Sequence, residues 1–243
     1  MKMPHIFLIY IILFFTFSCT SDNIENDIQT AYKLVKVNSN DVLGNLISIS
    51  EYIYNEDKNL DRIIIQGSSI QIIHNYLGDN IISIIASSDS EERITEFIYN
   101  GDLVISSSTE VLVNNQPALF STSYEYNAAK ELIGEIFFVD NIMACERTFV
   151  NNNQNVSSVS VSCEGLYTYE YDTMKNPYYL LYNTGLSKIL QEGLNNKIKE
   201  EFSESNSIKT YTYEYNSQNY PIRSNYYIDN ELQFTKTYIY ESL

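Results

Sequence analysis

Apolar and polar residues alternate along most of the chain, in short runs that are separated by turn residues. In Ser121–Tyr126 and Thr210–Tyr215, for example, tyrosine recurs at every second position with polar residues between. A period of two predicts β-strands with one buried face. We count about 15 such runs. Clusters of Asn, Asp and Gly between the runs predict hairpin turns; they are Gly78–Asn80, Asn100–Asp102, Asn114–Pro117, Asn151–Asn155 and Asp229–Asn230.

Aromatic residues that close strands recur every 22 to 27 residues, with one gap of 44 residues after Tyr171. They are Tyr54, Tyr76, Tyr99, Tyr126, Phe149, Tyr171, Tyr215 and Tyr240. This period predicts one repeated hairpin, and we interpret the gap as two units whose middle aromatic residue is missing. In five units an Asn or Asp follows the Tyr directly, which predicts a turn opened by a bond from that side chain to its own backbone.

The expected fold is all-β: an antiparallel meander of about 15 strands, built from repeated hairpins and coiled into a curled or barrel-like sheet that protects its edges. The alternation lapses between Met174 and Asn196. Leu186, Ile189 and Leu190 have helical spacing there, and Gly193 could end a short helix near 185–193. Such a long connection could carry function, but we favour a segment that covers an open end of the sheet.

The N-terminus has the pattern of a secretory signal, because Lys2 precedes an uncharged apolar run from Ile6 to Phe17. The run is shorter than the roughly 20 residues that span a bilayer. Its end, Ser18-Cys19, resembles a lipobox, which implies lipid attachment at Cys19; ordinary signal cleavage is the alternative. We therefore expect a signal peptide over residues 1–18, a lipidated acidic tether over 19–29 and a single β-hairpin domain over 30–243. Thr20 after the cysteine resembles lipoproteins of the outer membrane, facing the periplasm or the cell surface.

Two segments carry a family resemblance, Tyr169-Glu170-Tyr171-Asp172 and Tyr213-Glu214-Tyr215-Asn216. They resemble the tyrosine-aspartate (YD, RHS-like) repeats, in which Tyr-x-Tyr-Asp/Asn precedes a turn and a second strand. The chain is similar in this respect to uncharacterised Bacteroidota lipoproteins built from such repeats. The resemblance covers most of the mature chain and implies no particular activity. The glycine usual in the turn of the repeat is present only at Gly101.

Charge limits the partners of the protein. The chain has 31 acidic and 15 basic residues, a formal net charge of −16. This balance disfavours nucleic acid and anionic lipid, so no nucleic acid is expected as a partner. We interpret the excess as a solvated exterior; a cation-binding surface is the alternative.

Two cysteines remain after Cys19, and they flank the Asn-rich turn at 151–155. In a hairpin centred near Asn153, Cys145 and Cys163 fall opposite each other. An exported compartment permits a disulfide between them, and closing this loop would stabilise the fold by about 3 kcal/mol. Two buried thiols are the alternative. No metal site is expected, because two cysteines without nearby histidines do not complete a zinc shell.

Catalytic chemistry has few candidates in this chain. His74 is the only histidine beyond the signal peptide, and it lies at the end of a predicted strand, where a structural role is favoured. Carboxylate pairs that could hydrolyse glycosides arise by chance among so many acidic residues. We expect no cofactor and favour a protein that is not an enzyme. A carbohydrate-active or other hydrolytic lipoprotein that uses acidic residues is the alternative.

Rows of tyrosines are the candidate ligand surface. The residues share faces of two predicted strands and are Tyr167, Tyr169, Tyr171, Tyr211, Tyr213 and Tyr215. If they are exposed, they could bind a glycan or an envelope protein; if they are buried, they are core, which we favour in a chain without Trp. The sequence thus predicts a non-catalytic envelope lipoprotein with a binding or structural β module of unknown ligand.

Overall fold

The structure is a computed structural model that describes residues 32–113, 116–179, 181–182, 184–205 and 207–242. Sixteen antiparallel strands follow one another around a closed barrel, in which β16 pairs with β1. This confirms the all-β meander and its closure, with sixteen strands where about 15 were expected. The predicted signal peptide and the predicted tether, with Cys19, lie outside the described residues. No helix of the described segments is long and apolar enough to cross a membrane.

The first eight strands are β1 (Tyr32–Asn40), β2 (Leu46–Tyr54), β3 (Leu60–Gln66), β4 (Ile70–Leu77), β5 (Asn80–Ser87), β6 (Glu91–Asn100), β7 (Leu103–Val113) and β8 (Gln116–Tyr126). The remaining elements are β9 (Leu132–Val139), β10 (Ile142–Asn152), β11 (Asn155–Val161), β12 (Gly165–Lys175), the helix α1 (Thr184–Ile189), β13 (Asn195–Phe202), β14 (Ile208–Tyr215), β15 (Pro221–Ile228) and β16 (Glu231–Ser242).

The turns follow the chemistry of their residues. Asn153 and Gln154 both have positive φ, as do Asp229 and Asn230, which is the geometry of a two-residue hairpin that matches the twist of its strands. Longer turns begin with an Asn whose side-chain oxygen accepts from the backbone four residues on; this occurs at Asn55, Asn127 and Asn216. The prediction that Asn and Asp after Tyr open the turns is confirmed at these positions. Asn114 and Asn115 lie outside the described residues.

All even-numbered strands finish at the same end of the barrel. We call the last inward-facing residue of each of them its closing residue; they are Tyr54, Tyr76, Tyr99, Tyr126, Asn151, Tyr171, Tyr215 and Tyr240. The aromatic repeat is therefore confirmed at seven of eight positions. At the fifth, the closing residue is Asn151 and not Phe149, which lies two residues earlier on the same inward face.

Six closing tyrosines hold the strands at this end by the same bond. Each hydroxyl donates to a backbone carbonyl at 2.7–2.8 Å, and the acceptors are Leu34, Leu60, Ile81, Val104, Val156 and Pro221. In each case the ladder between the two strands stops two residues before the acceptor. The strands separate at this end, and the phenol supplies the partner that a buried carbonyl requires.

The interior of the barrel at this end is filled by the connection from β12 to β13. This connection comprises residues 176–179, 181–182 and 184–194, and we call it the plug. Leu181 packs with Leu34 and Leu60, whereas Leu186 packs with Ile81 and Val104. These wall residues are on β1, β3, β5 and β7, so the plug lies inside the barrel. We call this end of the barrel the plugged end.

The plug corrects one interpretation of the sequence. The gap between Tyr171 and Tyr215 contains a single hairpin, β13–β14, together with the plug. The interpretation of this gap as two repeat units with a missing aromatic residue is therefore wrong. The predicted helix near 185–193 exists but is shorter, because Gln191 adopts a left-handed conformation (φ 57°) and Glu192 N bonds to Ser187 O. Gly193 does not end the helix; it packs against Asn155 and Tyr171.

The outer wall of the barrel mixes polar and apolar residues along its middle. Outward residues halfway along the strands include Glu51, Glu96, Ser108, Ser123, Glu146, Thr168, Lys199, Thr212 and Asn225. Some of them form ion pairs across strands, such as Lys36–Glu51 at 2.9 Å. Exposed apolar residues lie toward the two ends, such as Ile98 and Ile142. Isoleucines also face outward at this height, such as Ile64 opposite Glu51 and Ile136 opposite Ser123. Along the described strands the middle of the wall therefore carries charged and polar residues among apolar ones.

Candidate binding site in the barrel lumen

The lumen opposite the plugged end is lined by aromatic and charged side chains, and we call this part of the barrel the mouth. Its inward-facing residues include Tyr167, Phe202, Lys209, Tyr211, Tyr226 and Phe234. All six are partly exposed, and the Lys209 side chain retains 38% of its accessible surface. Solvent therefore reaches these side chains inside the barrel.

The aromatic residues of the mouth stack because strand register places them opposite one another. Tyr167 pairs with Phe202 across β12 and β13, and their ring centroids are 4.5 Å apart. Tyr226 on β15 lies between Tyr211 and Phe234, at 5.1 and 4.7 Å. Cross-strand aromatic pairs of this kind fix the orientation of both rings. They give the mouth two preformed apolar surfaces.

Charged groups stand between these aromatic surfaces. Glu200 accepts from Lys209 Nζ at 2.6 Å and from Lys197 Nζ at 3.2 Å. Burial alone would raise the pKa of the Glu200 carboxyl, but the bonds and charges of the two lysines outweigh it and lower that pKa. Lys197 Nζ also lies 4.0 Å from the ring centroid of Tyr169, a favourable cation–π arrangement.

A second ion pair lies on the β9–β10 side of the lumen. Arg147 Nη1 is 3.2 Å from Glu135 Oε2, and the Glu135 side chain is only 11% exposed. Burial raises the pKa of Glu135, and the charge of Arg147 opposes that effect. Both lumenal carboxylates are thus matched by cations, and the mouth presents paired charges.

The six tyrosines predicted as a ligand surface all face the lumen, but they divide into two groups. Tyr167, Tyr169 and Tyr211 lie from the mouth to the middle of the barrel. The other three lie toward the plugged end, and their hydroxyls form hydrogen bonds within the fold. Tyr171 donates to Val156 O, Tyr213 to Lys197 O and Tyr215 to the Asp172 carboxylate. These three hold the fold together, whereas the first group can contribute to a ligand surface.

Sequence reasoning missed Glu200, Lys209 and the aromatic partners Phe202, Tyr226 and Phe234. A signal for Lys209 was present, because it lies two residues before Tyr211 and so shares its face. Glu200 and Phe202 become neighbours of the tyrosines only through the pairing of β12 with β13, which follows the plug. No local pattern shows that pairing.

The predicted disulfide is present. Cys145 on β10 is bonded to Cys163 in the turn after β11, with the Cα atoms 5.7 Å apart. The register Arg147↔Val161 places the two cysteines opposite each other, two residues further along the hairpin. The bond therefore closes the β10–β11 hairpin on the side of the mouth.

His74 has the structural role that its position indicated. The residue is 3% exposed, and Nδ1 lies 3.3 Å from the carbonyl oxygen of Asp61. Burial lowers its pKa, and its ring packs 5.6 Å from the ring of Tyr182 in the plug. Among the described residues, no group of three or more His, Cys, Asp or Glu side chains is arranged to hold a metal ion.

These features define a closed sixteen-stranded antiparallel β-barrel with an internal plug and a solvent-filled mouth. No protein-family model and no curated protein sequence matches the chain. Among solved structures, the chain is similar to a porin-like protein from Bacteroides uniformis ATCC 8492, with a TM-score of 0.57 and 11% identity over 86% of this chain and 96% of that one. A porin-like protein from Bacteroides vulgatus ATCC 8482 gives a TM-score of 0.46 and 13% identity over 87% and 99% of the two chains. The first similarity supports the barrel fold.

Proposed function

We propose that the protein is a non-catalytic binding module of the bacterial cell envelope, held to the outer membrane by lipid on Cys19. The mouth carries this proposal, because it combines stacked aromatic rings with fixed charges in a solvent-accessible lumen. Ligand sites commonly pair apolar surfaces with a few placed polar groups. The ligand class that fits best is a glycan, whose ring faces stack on aromatic side chains while its hydroxyls bond to charged groups.

Charged residues at mid-height of the outer wall support attachment by lipid in preference to insertion of the barrel. Strands that face a bilayer carry an apolar band about 25 Å tall, and here the middle of the wall holds charged residues such as Glu51 and Lys199. A barrel of this kind is suited to water on its outside. It would sit beside the membrane, on the periplasmic or the cell-surface side.

The direction of the mouth follows from where the described chain starts. Tyr32 pairs with Ser242 at the plugged end, so a lipidated tether joined to Tyr32 would attach there. The mouth would then point away from the membrane, toward a ligand in the surrounding space.

The repeat supports a relation to the YD-repeat lipoproteins of Bacteroidota. The closing Tyr bonds across to a carbonyl, and the Asn after it opens the turn, at Tyr54-Asn55 and Tyr126-Asn127. One chemical role for each residue of the dipeptide explains why the pair recurs. We propose this unit as the physical meaning of the Tyr-Asn/Asp repeat in this chain.

The test is a glycan array probed with the chain beginning at Thr20, which contains every strand of the closed barrel. We expect retention of glycans without their breakdown, and Tyr211→Ala should weaken it by up to about tenfold, since an aromatic contact contributes about 0.5–1.5 kcal/mol. The matched control is Tyr227→Ala, because Tyr227 is on β15 next to Tyr226 but faces outward. Glycan breakdown would favour the hydrolytic alternative. Binding that Tyr211→Ala leaves unchanged in a folded protein would contradict the mouth as the site.

A further inference from the structure

One closing residue differs from the other seven. At the end of β10, Asn151 donates from Nδ2 to the carbonyl oxygen of Leu132 at 2.7 Å. That is the bond which the tyrosine hydroxyls make at six other positions, and the ladder between β9 and β10 again stops two residues earlier, at Gly134↔Thr148. The shorter side chain thus keeps the bond to the backbone but leaves out the volume of a phenol ring.

A cleft of about 270 Å³ is present at this position, between the barrel wall and the plug. Leu132, Asn151 and Val156 form its wall side. Its plug side is formed by Tyr179, Ser187, Lys188, Gln191, Glu192 and Gly193. Besides Asn151, its polar lining consists of Glu131, Gln154, Tyr179, Ser187, Lys188, Gln191 and Glu192. The cleft therefore coincides with the single break in the closing tyrosines.

The cleft contains two acidic side chains and one basic side chain. Burial raises the pKa of the Glu192 carboxyl, although a 3.1 Å bond from Asn176 Nδ2 acts in the opposite direction. Glu131 and Lys188 contribute one acidic and one basic group, and Lys188 Nζ is anchored to the carbonyl oxygen of Lys130 at 2.6 Å. The remaining polar groups are amides and hydroxyls, which both donate and accept hydrogen bonds. This lining suits a neutral ligand rich in hydroxyl groups.

We infer that the cleft at Asn151 is a second binding site, for a single neutral sugar ring. Its volume of about 270 Å³ lies just below the usual range for ligand pockets, roughly 300–1,000 Å³, which suits one ring better than a longer chain. Leu132, Val156 and Ala129 supply apolar surface for the ring face, and the amides of Gln154 and Gln191 supply partners for the hydroxyls. This site lies at the plugged end and does not depend on binding at the mouth.

The decisive variant is Asn151→Tyr, which restores the repeat. The phenol would fill the cleft and donate to Leu132 O, as Tyr76 does to Leu60 O, so the fold should be kept. The matched control is Asn152→Tyr, which adds the same ring at the neighbouring exposed position. A second variant, Gln191→Gly, removes a polar side chain without filling the cleft, and glycine accepts the positive φ of this position.

The probe is a panel of neutral monosaccharides, namely glucose, galactose, mannose and N-acetylglucosamine, with binding to the chain from Thr20 measured by saturation-transfer NMR. We expect at least one sugar to bind, with a loss of tenfold or more in Asn151→Tyr and a smaller loss in Gln191→Gly. Asn152→Tyr should bind as the unmodified protein does. In the background of the mouth variant Tyr211→Ala, Asn151→Tyr should still cause the same loss.

Three outcomes would overturn the inference: none of the four sugars binds, folded Asn151→Tyr binds as well as the unmodified chain, or Gln191→Gly leaves affinity unchanged. If Asn151→Tyr does not fold, Gln191→Gly decides. Because Tyr211→Ala is measured in the same series, failure at the cleft is distinguished from failure at the mouth.

Discussion

The hydroxyl of Tyr76 donates a 2.7 Å hydrogen bond to the carbonyl oxygen of Leu60, whose side chain is 1% exposed. The last ladder pair between β3 and β4 is Arg62↔Ile73, so this carbonyl lies beyond the ladder with β4. The same arrangement at five further positions allows the barrel to widen around the plug without leaving buried carbonyls unpaired. A side chain thus takes the place of a main-chain donor at every such position.

Removing that hydroxyl should destabilise the fold. We expect Tyr76→Phe to lower the free energy of unfolding by about 1–3 kcal/mol, because it leaves a buried carbonyl without its partner while keeping the ring. Urea denaturation measures this difference. Tyr167→Phe is the matched control, since the Tyr167 hydroxyl bonds to Glu164 at an exposed site, and it should change stability by less than about 0.5 kcal/mol. Equal effects of the two substitutions would contradict the role of the closing tyrosines.

The repeat was predictable because the closing tyrosines are both aromatic and regularly spaced. The fifth closing residue was nevertheless predicted wrongly, as Phe149 and not Asn151. Asn151 makes the same bond as the closing tyrosines, but it is not aromatic and so does not appear in the aromatic repeat. The residues of the plug were likewise interpreted as part of a repeated hairpin. The position of the plug depends on contacts such as those of Leu186 with Ile81 and Val104, which join residues about 80 to 100 positions apart and leave no periodic pattern.

The candidate site was predictable only in part, for a similar reason. Alternation placed Tyr211 and Tyr215 on one face correctly, but their different roles depend on height within the barrel. Tyr215 meets Asp172 at the plugged end, whereas Tyr211 meets Tyr226 at the mouth. The position of a residue along the barrel axis depends on the strand register and on where the plug lies. Neither can be predicted from neighbouring residues in the sequence.

The disulfide should contribute to stability by limiting the unfolded chain. We expect Cys163→Ser to lower the free energy of unfolding by about 3 kcal/mol, the value for closure of a loop of this length; the two cysteines are 18 residues apart. Cys163 is the better position to change, because it is exposed whereas Cys145 is buried. Thermal unfolding with and without a reductant measures the effect, and reductant should not change the melting temperature of the variant. Uptake of two alkyl groups by the unreduced, unfolded chain would show that the bond is absent in solution.

Glu192 should make stability depend on pH. Burial raises its pKa in the folded state above that of the unfolded chain, against opposing effects from Asn176, Lys197 and Lys236. A raised pKa contributes stability at pH values below the unfolded pKa of about 4.3, and that contribution is lost as pH rises through the folded pKa. Glu192→Gln removes this titration while keeping an acceptor for Asn176. The stability of the variant relative to the unmodified protein should therefore increase from pH 4 to pH 8.

Urea denaturation across that pH range measures the difference between the two proteins. The matched control is Glu170→Gln, on the outer wall, which should follow the unmodified curve within about 0.5 kcal/mol. A difference between Glu192→Gln and the unmodified protein that stays constant with pH, or decreases as pH rises, would contradict the assignment.

The lipid anchor is tested by Cys19→Ala. If Cys19 carries the lipid, the substitution prevents lipid attachment, and we expect the protein to be extracted from membranes by carbonate. The barrel should remain folded, because its strands begin at Tyr32. Fractionation with immunodetection measures location, and far-ultraviolet circular dichroism measures folding. A variant that stays in the membrane fraction after carbonate treatment would contradict the lipobox assignment.

The pairing of β1 with β16 has a consequence for biogenesis. Until β16 (Glu231–Ser242) takes its place, β1 and β15 each present an unpaired row of amides and carbonyls, and such edges recruit other chains. The sheet is sealed by β16, the last strand of the barrel in chain order, so self-association is a hazard during the interval before that strand pairs. A chain cut short before residue 231 would keep both edges, and we expect it to form polymers where the full chain forms closed barrels.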